Sequence, residues 1–568
     1  MRQSKNFTLE ANIVDPVRRV RGYGAVWVKD GNIEKVEIIG PEKAELPYLM
    51  PGFIDAHIHI ESSMLTPPAF ARIAVRHGTV ATVSDPHEIA NVCGIEGVRY
   101  MVKLGKASGF KFFFGAPSCV PATSFETAGA TLTVEEIIQL FEEKSTCYLS
   151  EMMNYPAVLA RDPLVMDKIA AAQKYGVPVD GHAPGLRGMD AHSYASTGIS
   201  TDHECTMLEE ALDKIDAGMR IIIREGSAAK NYNALHTLIG SHPDKVMLCS
   251  DDKHPDDLMH GHINQLVARS LSNRYDMMDV LQIACVNPVR HYNLNVGLLQ
   301  PGEPADMILV EDLDSFIVMS TWIDGVDVFS NGIVNLPAVD IPVINSFGFD
   351  PIEPHDLQLH LHPAPAKIIV AIEGAIVTQH EEADMEEGLF ESDTTRDILK
   401  LVVINRYTKA PPAIALIKGF GLKSGAIASS VAHDSHNIIA VGTNDKDLAT
   451  CINQVIKARG GLCALGRMQG IPQSLETPTM ASFEFNDMAY KSICVPLPVA
   501  GLMSDSHDGE TIGKLYSAAD QVSKTWLGST LTAPFMTLSF MALLVIPSLK
   551  LSDKGLFDGS SFQFTSLQ

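Results

Sequence analysis

The chain has 568 residues, 46% hydrophobic and 20% charged, with a formal net charge of −24 at pH 7. That length is too great for one hydrophobic core and predicts two or three domains. The acidity argues against binding along a phosphate backbone, which needs a basic face, so no nucleic-acid partner is expected.

Before Pro51 the sequence is strand-like and rich in turns, as in Gly24–Ile33. From Pro51 onward, short β-prone runs alternate with helix-length segments, the pattern of βα units around a parallel sheet. The runs are Phe53–Ile60, Gly78–Ser84, Phe110–Ala116, Cys147–Met152, Pro178–His182, Ile199–His203, Met219–Arg224 and Lys245–Ser250. Eight units in roughly 230 residues is the size of a (β/α)8 barrel. Between them, Thr133–Lys144 is predicted as a helix, with Thr133 and Glu136 at capping-box spacing. Pro301–Val310 and Ser320–Ile333 then read as strands returning to the domain begun before residue 51, with Asp306 in a structural role. From about Pro351 a further domain starts, with strands at Ala366–Ile372 and Lys400–Ile404 and a helix at Asp445–Ala458. The most apolar window, Phe535–Ile546, falls well short of the ~20 residues that cross a bilayer and reads as a buried core element, so no membrane association is expected. Nine cysteines without a Cys-x-x-Cys pair imply free thiols in a reducing cytoplasm. No apolar stretch follows the first charged residues, so no secretory leader is expected.

The residues ending the eight runs carry the chemistry. His57 and His59 lie one residue apart, so alternation along a strand turns both imidazoles to one side, within reach of one metal ion. Asp85, His87 and Glu88 follow the second run and Ser118 the third. Glu151 ends the fourth, His182 the fifth, His203 the sixth, and Asp251 and Asp252 the eighth. Active sites of such barrels gather at these strand ends. Each histidine alone reads as an ordinary core or surface residue. The joint occurrence of His, His, Glu, His, His and Asp at successive ends points to two divalent ions sharing one carboxylate.

The segments Asp55–Met64, Ser84–Val92, Pro117–Thr123, Gly181–Gly185, Thr201–Cys205, Ser250–Leu258, Ala432–Asn437 and Pro534–Phe540 resemble adenine deaminases of the metal-dependent amidohydrolase superfamily, over essentially the whole chain. The resemblance implies an α/β protein. It would have a (β/α)8 catalytic barrel (51–285), a discontinuous small β-sandwich domain (1–50 plus 286–345) and an additional α+β C-terminal domain (350–568). It implies His57 and His59 on one metal, His182 and His203 on the other, Glu151 bridging, and Asp251 as last ligand and proton carrier. Asp252 is the alternative to Asp251, which is preferred because superfamily members use the first acidic residue at this strand end. The implied reaction is hydrolysis of adenine to hypoxanthine and ammonia by a metal-bridging hydroxide, a step of purine salvage. Glu88 is the candidate donor of a proton to ring N1, with His87 orienting it or the substrate; a purely structural role for this pair is equally open. Histidine and carboxylate ligands suit Mn, Fe or Zn, and the resemblance favours Mn(II) or Fe(II). The expected assembly is a homo-oligomer, a dimer. Alternatives are a cyclic amide hydrolase acting on hydantoin or dihydropyrimidine rings, and a non-catalytic metal-binding barrel. His433, Asp434 and His436 read first as a hydrogen-bonded turn and second as metal ligands on a helix face.

Overall fold

The eight runs all fold as parallel strands, each shorter than predicted at one or both ends; His59, His182, His203 and Ser250 lie just beyond their strands, whereas His57 and Glu151 lie within theirs. In the computed structural model, which describes residues 5–227, 229–348, 350–467, 481–485 and 488–568, the strands are Phe53–Ile58, Thr79–Ser84, Lys111–Phe114, Leu149–Met152, Val179–Gly181, Thr201–Asp202, Arg220–Arg224 and Val246–Cys249. The first three pair in order, as do the fourth with the fifth and the sixth through the eighth. Single parallel bridges join these groups at Ala116–Leu149 and Val179–Ile199, and a third at Ile58–Asp251 closes the cylinder. Every residue of the first, second, fourth and eighth strands is buried. Strands covered on both faces are selected for continuous apolarity, which is why these runs do not alternate in the sequence.

The described residues divide into two units. One comprises Met1–His87, Val98–Cys119 and Thr133–Ile341; the other comprises Glu88–Gly97, Val120–Leu132 and Pro342–Gln568. In the first unit the barrel is accompanied by one eight-stranded sheet. Tyr48–Pro51 is its seam, parallel to Phe7–Asp15 on one side and antiparallel to Met307–Val310 on the other. Residues from both ends of this unit thus share one core, with Ile13, Val26, Leu49, Met307 and Trp322 packed together. Asp306 accepts from Lys111 Nζ at 2.7 Å and from the Gly297 and Asp324 amides at 2.8 Å, the structural role the sequence suggests. The helix after Thr133 spans Val134–Glu142 with its capping box formed, and stops short of Lys144, whose φ of 52° leaves the helical region.

The second unit is built on a nine-stranded sheet that includes Pro365–Ala371 and Leu399–Ile404, each within a residue of its predicted span. Helix Asp445–Ala458 matches its predicted bounds and packs Leu448, Ile452 and Val455 against Val402, Ala428 and Ala440. The Phe535–Ile546 window starts within a short helix, Pro534–Phe540, all of whose residues are buried. No described helix is long and apolar enough to cross a membrane.

Candidate metal centre

Asp251 both closes the barrel and equips it. Its amide donates to the His57 carbonyl at 3.0 Å, and its carbonyl accepts from the His59 amide at 3.3 Å. Asp251 holds φ at 53°, a left-handed conformation that Asp tolerates better than most residues. Behind this join, Asp55 accepts from the Ser250 amide at 3.1 Å and lies 2.7 Å from His262 Nε2, tying the first strand to the eighth.

The Glu151 carboxylate sits at the middle of the strand ends, 3% exposed. Its Oε1 is 3.4 Å from His59 Nε2 and 3.5 Å from His87 Nδ1. Its Oε2 is 2.8 Å from His182 Nδ1, 3.0 Å from His203 Nε2 and 4.0 Å from His57 Nε2. Asp251 Oδ1 lies 3.4 and 3.3 Å from Nε2 of His57 and His59. All six residues expected as ligands therefore fall in one cluster. Asp252 is placed differently: its Oδ1 accepts from the Ser62 hydroxyl at 2.5 Å.

Three residues complete the cluster: Asp85, named at its strand end but given no role in the sequence, and Glu204 and Arg224, which were not singled out there. Asp85 lies with His59, His87 and Glu151. Glu204 Oε1 is 3.5 Å from His182 Nδ1 and 3.4 Å from His203 Nε2. Arg224 forms a two-pronged pair with Glu204 and donates to Asp251 Oδ2 at 2.7 Å. A signal for Arg224 was present, since it is a charged residue ending the apolar strand Arg220–Arg224, but its partners could not be read from spacing. His87, expected to orient Glu88, has its Nδ1 3.1 Å from Asp85 Oδ2. In the C-terminal unit, Glu88 faces His433, at 3.1 Å, and His436, which is closer still. His433–Ser435 form a turn, not a helix, and His433 Nδ1 is 2.6 Å from Ser539 Oγ.

The electrostatics of the barrel cluster call for cations. Burial works to raise the Glu151 carboxyl, yet the imidazoles of His182, His203 and His59 outweigh it and hold it well below the usual carboxylate range. Asp251 is likewise held low against burial, chiefly by Arg224. Burial lowers His182, but Glu204 and Glu151 reverse this and lift it to about 9. Asp85, Glu151, Glu204 and Asp251 are thus four buried carboxylates faced by the Arg224 guanidinium and by imidazoles that their charge renders more basic. Both ring nitrogens of the fully buried His203 lack a hydrogen bond. Imidazole and carboxylate donors converging at 2.8–3.5 Å from one another fit a divalent cation bound at about 2.0–2.2 Å from each.

A second buried network sets the His182 and His203 loops. Lys214 Nζ donates to the Ala183 carbonyl at 2.7 Å and pairs with Glu210 at 2.9 Å and Asp202 at 3.1 Å. Asp202 in turn accepts from the Ala183 amide at 2.9 Å, and Glu210 from the Gly185 amide at 2.8 Å. One lysine therefore links the residue after His182 to the residue before His203.

Residues 48–328 match the amidohydrolase family, and residues 375–478 and 489–563 match the adenine deaminase C-terminal domain. Adenine deaminases of Salinibacter ruber and of Sulfurovum sp. are each 48% identical to the chain, and that of Methanosarcina mazei 47%, in each case over 98% of both chains. The chain belongs to the adenine deaminase family. The family's C-terminal match falls on the nine-stranded unit, so membership extends to both units rather than to the barrel alone.

Lys214→Met leaves Asp202 and Glu210 buried without their cation, a loss expected to cost about 3–5 kcal/mol. The barrel should unfold at a lower urea concentration and release metal faster than the unaltered protein, while Lys214→Arg largely restores both. Unchanged metal retention in Lys214→Met would remove this network from the support of the site.

Proposed function

We propose that the barrel binds free adenine and hydrolyses its exocyclic C6–N bond, giving hypoxanthine and ammonia in purine salvage. Family membership supports the reaction, and the convergence of four imidazoles and Asp251 on the buried Glu151 supports the assignment of roles. In this reading the catalytic barrel spans 51–285, residues 1–50 and 286–345 form the small β-domain, and 350–568 form the C-terminal domain.

His57, His59 and Asp251 would hold one divalent ion and His182 and His203 the other, with Glu151 shared between them; Mn(II) or Fe(II) is the proposed metal. When bound, such ions supply Lewis acidity that makes water nucleophilic near neutral pH. Asp251 takes a proton from the attacking water on the oxygen that faces His57 and His59 and passes it to the departing amine. Arg224 keeps the other oxygen of Asp251 fixed, so the carboxylate presents one face to the reacting atoms. Proton delivery to ring N1 is assigned to Glu88, whose carboxylate His433 and His436 orient within the C-terminal unit. His87, held by Asp85, serves to position the substrate. The protein is proposed to act in the cytoplasm as a homodimer.

The substrate assignment is tested by ammonia release from a panel of purines. Adenine should exceed adenosine in kcat/KM by at least about a hundredfold, roughly 3 kcal/mol of transition-state discrimination. Comparable values for the two substrates would overturn it.

Asp251→Asn keeps an oxygen toward the cluster but cannot accept the proton. General acid–base transfer is worth about 10²–10⁴-fold, so turnover should fall by at least that much while much of the metal stays bound. Asp252→Asn should cost far less. Kinetics and metal analysis of the two variants side by side decide the matter; an inactive Asp252→Asn beside an active Asp251→Asn would reverse the assignment.

A further inference from the structure

Lys253, two residues beyond Asp251, is 8% exposed, and its ammonium makes no hydrogen bond or ion pair with any described residue. An ammonium carries three donors and no acceptor, and with no acceptor of the described residues against it this one is free to serve an anion in the space it lines. Lys253 lines a cavity of about 220 Å3 between the loops that follow the seventh and eighth barrel strands. That is far more than the ~30 Å3 one water occupies in the liquid. Lys230, Gln265 and Arg269 line the same cavity, and none of the six proposed metal ligands does.

The carboxylates near Lys253 are Asp257, Asp55 and Glu225, and each is engaged elsewhere. Asp257 accepts from the Ser227 hydroxyl at 2.6 Å. Asp55 is held by Ser250 and His262. Glu225 pairs with Arg269 at 3.1 Å. The lining carries Lys230, Lys253 and Arg269 against Glu225 and Asp257, an excess of one positive charge. In a chain of net charge −24 this excess is local and built. From Lys253, which makes no direct hydrogen bond or ion pair, the exposed Lys230 beside it and the volume they share, we infer a binding site for a phosphate-class oxyanion, distinct from the metal centre. The group is either free inorganic phosphate or the phosphoryl group of a nucleotide. Both present the same oxygens to Lys253 and Lys230, and the Gln265 amide adds a neutral donor.

The site abuts the machinery that holds Asp251. Ser250 forms part of its wall and precedes Asp251 directly. Arg269 reaches it through Glu225, the neighbour of Arg224. An anion here would tighten the loop that carries Asp251.

The test is calorimetric titration of the metal-loaded protein with inorganic phosphate, and separately with a purine nucleoside monophosphate, at constant ionic strength. One saturable site is expected. Lys253→Met should weaken binding at least tenfold with metal content unchanged, and Lys230→Met should weaken it less. Tighter binding of phosphate identifies the free anion, and tighter binding of the monophosphate identifies a nucleotide; either supports the inference. If Lys253→Met fails to fold, Lys253→Arg, which keeps the charge, must still bind and Lys230→Met must still weaken binding. Absence of saturable binding by both ligands at millimolar concentration overturns the site, as does a folded Lys253→Met that binds as tightly as the unaltered protein.

Discussion

The constraint on which the barrel unit depends is the burial of the Glu151 carboxylate among imidazoles. A carboxylate taken out of water costs several kcal/mol unless it is matched by charge and hydrogen bonds. Here the match comes from five imidazoles at four strand ends: His57 and His59 from the first, His87 from beyond the second, His182 from the fifth and His203 from the sixth. No two of those elements are close in sequence except the first pair. The barrel must therefore close in correct register before Glu151 finds its partners, and the Ile58–Asp251 bridge, made by a residue of the site itself, is where it closes.

Around this centre the charges are arranged in shells. Arg224 balances Glu204 and one oxygen of Asp251, leaving the other oxygen toward His57 and His59. Lys214 balances Asp202 and Glu210 one layer further out and fixes the loops that carry His182 and His203. Each outer cation is paired within its layer, so neither Arg224 nor Lys214 is free to neutralise Glu151. That arrangement suits a divalent cation at the centre, apart from the cationic cavity at Lys253.

Much of this was legible in the sequence. Continuous apolar runs marked the barrel strands, and the polar residue ending each run marked its place in the site. The His57/His59 pair carried its own geometry, because period-two alternation fixes which way two side chains point. Asp85 was visible as a strand-end residue, but its role and those of Arg224 and Glu204 were not legible, since a charged residue at a strand end has no spacing rule that names its partner. Between Asp251 and Asp252, spacing alone offered no choice, and the preference for Asp251 came from the family resemblance. In the structure Asp251, in a left-handed backbone conformation, lies against His57 and His59, while Asp252 accepts from the Ser62 hydroxyl. Glu88 illustrates the same limit at longer range, because its partners His433 and His436 lie some 345 residues away in sequence. Local pattern announced the proposed ligands; the groups that hold them depend on tertiary contacts.

Glu151→Gln is the most direct test of the shared carboxylate, because the amide keeps the size and one oxygen but removes the charge the imidazoles surround. Metal content and adenine turnover measured on the folded variant decide the matter. The account predicts two divalent ions per chain in the unaltered protein, loss of at least one in Glu151→Gln, and a fall in turnover of about 10³-fold or more. A folded Glu151→Gln protein that keeps two ions per chain and full activity would contradict it.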